Sequence, residues 1–272
     1  MTRLSIRAEI IKLTRQRGAL FWGFLFIPLF TTLVTLLLVG GGPPPLATAR
    51  TVNAIQPFHA AARALNVGGN PIAQLFYAIG AAAIFAVEYR HSGWRHIVPR
   101  ASRWTLIVSK FATFALFTGL SLMLVMLGDA LVTIALPVVR GSSLAITDMN
   151  AAAAGAILLS FLISLLELTV LAGLVALVAV VTRSATGAII APFLLSLAAT
   201  MAESYLAGAG SAVAVPLPTF AGDAMRHWLA AGAASANVAR AALFGLVTLL
   251  GWAAVSLGVT IYVFSRQDLV SE

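Results

Sequence analysis

The chain has 272 residues, of which 60% are apolar and 10% charged, with a mean hydropathy of +0.99. A soluble domain carries about 25% charged residues, so this chain holds too little polar surface to coat a globule and belongs in a lipid bilayer. Cysteine is absent, which excludes disulfides, thiolate metal sites and a cysteine nucleophile. The net charge of +8 reads as topology and contact with anionic lipid, and nucleic acid is excluded as a partner.

The first seventeen residues form a basic helix. On a helical wheel Ser5, Glu9, Lys12 and Gln16 share one face, and Leu4, Ile6, Ile10, Ile11 and Leu13 spread over the rest, with Arg15 able to snorkel. An interfacial helix is expected here. Ala19 to Val39 is an uncharged run of 21 residues, which at about 1.5 Å per residue crosses a core of roughly 30 Å. Three glycines and three prolines from Gly40 to Pro45 end it. The run is too long for the core of a secretory signal, so residues 1–45 are expected to stay in the mature protein.

Further spans are expected at 71–87, 105–139, 151–182, 184–206 and 241–264, making six. Between the last two, 207–240 is rich in Gly, Ala and Pro, and its Met225, Trp228 and Leu229 have helical spacing. This outer segment is expected to contain a short helix that lies in the interface or dips back. Six spans put both termini on one side. Twelve of the Lys and Arg residues fall on that side and five on the other, so both ends are expected in the cytoplasm.

Three carboxylates interrupt apolar spans: Asp129, Glu167 and Glu203. Each would cost about 2.5–3.5 kcal/mol or more if left charged at the bilayer centre, so each needs a partner, a water-filled cavity or an interfacial position. Glu167 sits in the middle of its span and is the foremost candidate for a translocation path; the alternative is a carboxyl that ties helices together. Gly245, Gly251 and Gly258 could allow close packing of the last span. No histidine lies within a span, and there is no P-loop, no H-E-x-x-H and no G-x-S-x-G. Neither an enzyme nor a metal or cofactor site is expected in this chain.

Glu88-Tyr89-Arg90-His91-Ser92-Gly93-Trp94-Arg95 opens the loop between the second and third spans. Trp94, Ile97 and Val98 fall at i, i+3 and i+4, flanked by Arg90, Arg95 and Arg100, before Pro99 limits the helix. Such a basic, aromatic knob suits docking into a groove of another protein.

The stretch from Ile6 to Arg17 and the loop from Glu88 to Lys110 together resemble the ABC-2 type permeases, the membrane subunits of bacterial ATP-binding-cassette exporters. The first is similar to that family's elbow helix, with Glu9, Lys12 and Arg15 on it. The 88–104 loop is similar to the coupling helix that sits in a cleft of the ATPase, through Glu88, Arg90, Gly93, Trp94, Arg95, Ile97 and Arg100. The acidic-x-Arg element followed by Gly-Trp-Arg looks most like permeases that expel peptide antibiotics such as lantibiotics or bacitracin, although His91-Ser92-Gly93 departs from their commoner order of glycine before threonine.

The resemblance implies an all-α integral membrane protein of the bacterial plasma membrane, with six spans, an elbow helix, a coupling helix and short outer helices. It implies a second permease copy or paralogue, separate P-loop ATPases that hold ATP and Mg, and export of an amphiphile. Two other readings use the same residues: a membrane anchor that recruits a cytoplasmic protein, and an ion-coupled transporter built on the three carboxylates. The halves of the chain show no self-similarity of the kind an inverted-repeat transporter has.

Overall fold

A computed structural model describes residues 2–40, 53–90, 102–140, 144–208, 216–231 and 236–267. Helix α1 (Thr2–Arg15) ends at Gln16, where the backbone leaves helical angles and turns the chain into the first long helix. That helix consists of α2 (Arg17–Leu20), a π-helical turn (Phe21–Leu25) and α3 (Phe26–Gly40). The π turn coincides with a close crossing. A Cβ on Gly23 would fall on the Gly80 backbone, so only glycine lets the two helices approach this far.

The second expected span, 71–87, is a helix of fifteen residues in the structure, too short to cross alone, and a bent partner precedes it. Helix α4 (Pro57–Ala64) and a 3-10 turn (Leu65–Gly69) precede α5 (Pro71–Phe85), and the two halves meet at a bend of 68°. The break has a local cause. Asn70 is extended, and its side chain accepts hydrogen bonds from the Ile72 and Ala73 amides at 2.9 and 3.3 Å, while Pro71 starts the new helix without an amide to satisfy. A short helix, α6 (Val87–Arg90), follows.

Ser102 caps α7 (Arg103–Val139), Asn150 caps α8 (Ala151–Thr182), and Ser184 caps α9 (Ala185–Gly208). Helix α10 (Pro218–Ala231) and α11 (Ala236–Arg266) complete the chain. Among the described residues, five helices are long and apolar enough to cross a membrane, and the bent pair would make a sixth. Large apolar side chains line their outer surfaces, among them Leu38, Leu131, Val139 and Leu243. The protein is an all-α membrane protein.

Helix α8 is the centre of the bundle: 56% of its most apolar stretch is buried, against 17–22% for the other four long helices. Its Leu168, Leu171, Ala172, Val175, Ala176 and Ala179 pack into one core with Tyr77, Ala81 and Phe85 of α5, Phe114 and Leu122 of α7, and Phe24. At one end of the bundle, strands β1 (Asn53–Ile55) and β2 (Leu144–Ile146) pair in parallel. There Asp148 accepts a hydrogen bond from the His59 amide at 2.9 Å, satisfying a donor in the first turn of α4.

The opposite end gathers both ends of the described chain. Arg103 donates to the carbonyls of Phe264, Ser265 and Gln267, closing the last turn of α11, and Gln267 donates to the Val180 carbonyl. Helix α1 packs against the same start of α7. Of the three glycines singled out in the last span, Gly245 alone meets a neighbour, the Ala221 backbone; Gly251 and Gly258 face open space among the described residues.

Replacing Gly23 by alanine should lower stability by about 1–3 kcal/mol, because backbone and not a flexible side chain stands in the way. Thermal unfolding in detergent measures this, and an unchanged midpoint would refute the glycine crossing.

Candidate functional site

Among the described residues, two buried ionic clusters lie within the helices, at different levels. The first joins α1, α6 and α7. Lys12 reaches Glu9 at 2.8 Å and Glu88 at 3.1 Å, and Lys110 reaches Glu9 at 3.2 Å and Glu88 at 2.7 Å. Two acids and two bases alternate in a closed ring. Lys110 is 1% exposed and donates a third bond, to the Ile84 carbonyl at the end of α5. Ser5 donates to Ser109 on the same face.

The polar stripe read from the wheel is therefore real, but it faces protein. Ser5, Glu9 and Lys12 turn onto the bundle with Leu13, and Arg7, Ile11 and Arg15 face outward. The apolar residues of α1 are too scattered to make one lipid-binding stripe, whereas its polar residues have buried partners waiting. Lys110, counted in the sequence only as part of a basic loop, is the most enclosed member of the ring. Nothing in a single sequence marks a lysine eight positions into an apolar helix as paired.

Burial would raise the Glu88 carboxyl, but Lys110 foremost and then Lys12 outweigh this and hold it below the ordinary carboxylate range. Burial would likewise lower Lys12, and Glu88 and Glu9 outweigh it and hold the ammonium above its usual value. Of the expected coupling residues, Glu88 thus belongs to this ring. Arg90 ends α6, and its side chain, like Gly93, Trp94, Arg95, Ile97 and Arg100, lies outside the described residues.

The second cluster centres on Glu167, midway along α8. Arg226 of α10 binds it through both guanidinium nitrogens, Nη1 at 3.0 Å to Oε1 and Nη2 to Oε2, and Nη1 also reaches Asp223 at 2.9 Å. Glu203, near the end of α9, lies close enough to Asp223 and Arg226 to interact with both electrostatically. Three glycines make the approach possible. A Cβ on Gly222 would fall on the Glu167 carboxylate, one on Gly69 on the Arg226 guanidinium, and one on Gly68 on Ser164. Both short segments, 57–69 and 218–231, thus reach the level of Glu167.

Their broken backbone is satisfied there. Ser164 donates to the Leu65 carbonyl, and Gln74 donates to the Gly68 carbonyl at 2.8 Å. In the sequence Arg226 is one of the five basic residues expected on the side opposite the termini. Asp223 and Arg226 three apart on a helix, beside Met225 and Trp228, are the signal that could have placed them. Asp129 stands apart from both clusters: it is half-buried and accepts a hydrogen bond from Thr35 at 2.8 Å, tying α7 to α3. No group of three metal-ligating side chains occurs among the described residues.

Removing one member of the buried ring strands the others, so Lys110→Met should destabilise the protein by about 3–5 kcal/mol and expose α1. Thermal unfolding together with hydrogen exchange in α1 reads both effects, and wild-type exchange would refute the ring as the α1 anchor. The depressed Glu88 stabilises α1 docking above the ordinary carboxylate value, and this contribution is lost as pH falls through the lower folded value. The raised Lys12 acts at the other extreme, its share being lost as pH rises through its folded value. Protection of the α1 amides, corrected for intrinsic exchange, should accordingly fall as pH drops below the ordinary carboxylate range, and Glu88→Gln should blunt that acid transition.

No family model, no curated protein and no solved structure matches the chain.

Proposed function

We propose that this chain is the permease subunit of an ATP-driven exporter of the ABC-2 type, with six spans, both termini in the cytoplasm, and a separate ATPase that binds ATP and Mg. The bent pair α4–α5 is the second of the six spans, and the bundle end that holds α1 and the last turn of α11 is the cytoplasmic end. The substrate is an amphiphile such as a peptide antibiotic, drug or lipid, and the membrane is a bacterial plasma membrane.

The observation that carries this reading is the ring of Glu9, Lys12, Glu88 and Lys110. A permease driven from outside the membrane needs a rigid point at which a cytoplasmic push enters the spans. The ring lies where the 88–104 loop leaves the second span and re-enters as the third, and it clamps α1 to both. A push on Trp94, Arg95 and Ile97 would be delivered to α5, α7 and α1 together. Packed elements with charge-paired contacts move as bodies and do not deform one by one. The positive-inside distribution supports the same sidedness.

A second reading is favoured by one observation. Three carboxylates, Glu167, Glu203 and Asp223, surround a single arginine, Arg226, which is the kind of cluster that an ion-coupled transporter uses.

The two readings part on one experiment. The chain purified from its native membrane in mild detergent should bring a stoichiometric P-loop ATPase with it. Charge reversal of Arg95 combined with Trp94→Ala should abolish substrate-stimulated ATP hydrolysis in that complex while leaving membrane insertion intact. A chain that purifies without an ATPase, or coupling unchanged by the double variant, would overturn the exporter reading; uptake that follows an imposed proton gradient would replace it with the second.

A further inference from the structure

At the end of the bundle that holds α1, the first long helix, α5 and α9 do not close on one another. They leave a groove of about 270 Å³, walled by Trp22, Ile79, Val87 and Ile189 with alanines and a glycine between them. An apolar cavity of roughly 150 Å³ already accepts a benzene ring, so this one takes a string of methylenes. It is also elongated: from Ile79 to Val87 its wall rises about 12 Å. At the level of Trp22 the Gly23–Gly80 crossing brings two of the helices into backbone contact and closes the groove.

Two hydrogen-bonding side chains line it, Gln16 and Trp22, and their N–H groups have no partner among the described residues. Trp22 is 47% exposed, and its ring is held in place by Phe26 at 5.0 Å and Phe76 at 6.0 Å. Gln16 stands at the corner where the backbone leaves helical angles between α1 and the first long helix. Arg15 and Arg17 flank it at the rim, and both are exposed. No carboxylate among the described residues pairs with either, because Glu9 and Glu88, the acids of this end, are held by Lys12 and Lys110.

The rim therefore offers positive charge and donors, and the groove offers apolar surface. An anionic phospholipid matches both, with a phosphate for the guanidinium groups and a chain for the slot. A zwitterionic lipid brings a cation to the same rim and loses part of that attraction. A second copy seated here about a two-fold axis would bring its own Arg15 and Arg17 to the rim, which like charges oppose.

We propose that this groove binds an anionic phospholipid of the adjoining leaflet, with the phosphate at Arg15, Gln16 and Arg17 and one acyl chain along Trp22, Ile79, Ala83 and Ile189. The lipid ties the corner of α1 to α5 and α9. The inference goes beyond the permease reading and needs only that the bundle stands in a bilayer.

The test uses the full chain in nanodiscs of phosphatidylcholine, without any ATPase. Phosphatidylglycerol and phosphatidylcholine probes carrying the same acyl-chain diazirine are compared, and the labelled peptides are mapped by mass spectrometry. Relative to the lipid-facing side of α7, the phosphatidylglycerol probe should label the peptides containing 79–87 and 185–189 about tenfold more than the phosphatidylcholine probe does. The double variant R15Q/R17Q should remove that excess, leave phosphatidylcholine labelling unchanged and keep the wild-type thermal midpoint, since neither arginine has a carboxylate to lose. A83L, which fills the groove from a half-buried position, should lower labelling there by both probes.

Equal labelling by the two probes, or an excess that survives R15Q/R17Q, would overturn the anionic site. A clear fall in the midpoint of R15Q/R17Q would show that the arginines hold the fold instead. The chain has no cysteine, so A83C adds a single thiol. Cross-linking of A83C chains to one another by a short bismaleimide in the native membrane would seat a second copy in the groove and overturn the lipid. Because no ATPase is present in the nanodiscs, a failure here leaves the coupling experiment to decide the exporter reading separately.

Discussion

A helix that breaks inside a bilayer exposes carbonyls and amides that lipid cannot satisfy, and the architecture of this protein follows from how that requirement is met. The backbone interrupts itself between Leu65 and Asn70 at the level of the middle of α8. Ser164 and Gln74 take the freed carbonyls, Asn70 takes the freed amides, and Glu167 gives the charged side chain of a second dipping helix a partner. Helix α8 has to stand in the centre because it carries the polar groups that make both interruptions tolerable. Its apolar face then packs α5 and α7, and the rest of the bundle forms around it.

The two ionic clusters answer different physical demands. The ring of Glu9, Lys12, Glu88 and Lys110 pairs two acids with two bases, each facing two groups of opposite sign, so the attraction between them offsets the cost of burial. Around Arg226 the balance is unequal, with three carboxyls to one guanidinium. The balanced ring is suited to holding helices rigid, whereas the Arg226 cluster joins α8 to α10 through one guanidinium.

Much of this was legible in the chain, and the limits are physical. Long uncharged runs dictate long helices, so α3, α7, α8, α9 and α11 stand where their composition puts them, and the wheel correctly grouped Ser5, Glu9 and Lys12. What it could not show is which way that face turns, because the partners Glu88, Ser109 and Lys110 come from distant stretches of chain. Two asparagines and two glycines between 66 and 70, just before Pro71, are the composition of an interruption, yet the helix before it, Pro57–Ala64, is too short and too polar to advertise membrane depth. Glu167 stood out because a carboxylate amid leucines is costly. Arg226 did not, since in a Gly- and Ala-rich outer segment an arginine reads as solvated, and only the glycines at 68, 69 and 222 let it reach α8.

The ring also bears on the order in which the protein can assemble. Synthesis delivers α1 about a hundred residues before Lys110, and until that lysine is in place Glu9 and Glu88 share only Lys12. The N-terminal helix therefore has no finished seat while α3 and α5 are being made. Its docking waits for α7 to arrive, which makes the closing of the ring a checkpoint on the correct placement of everything before it.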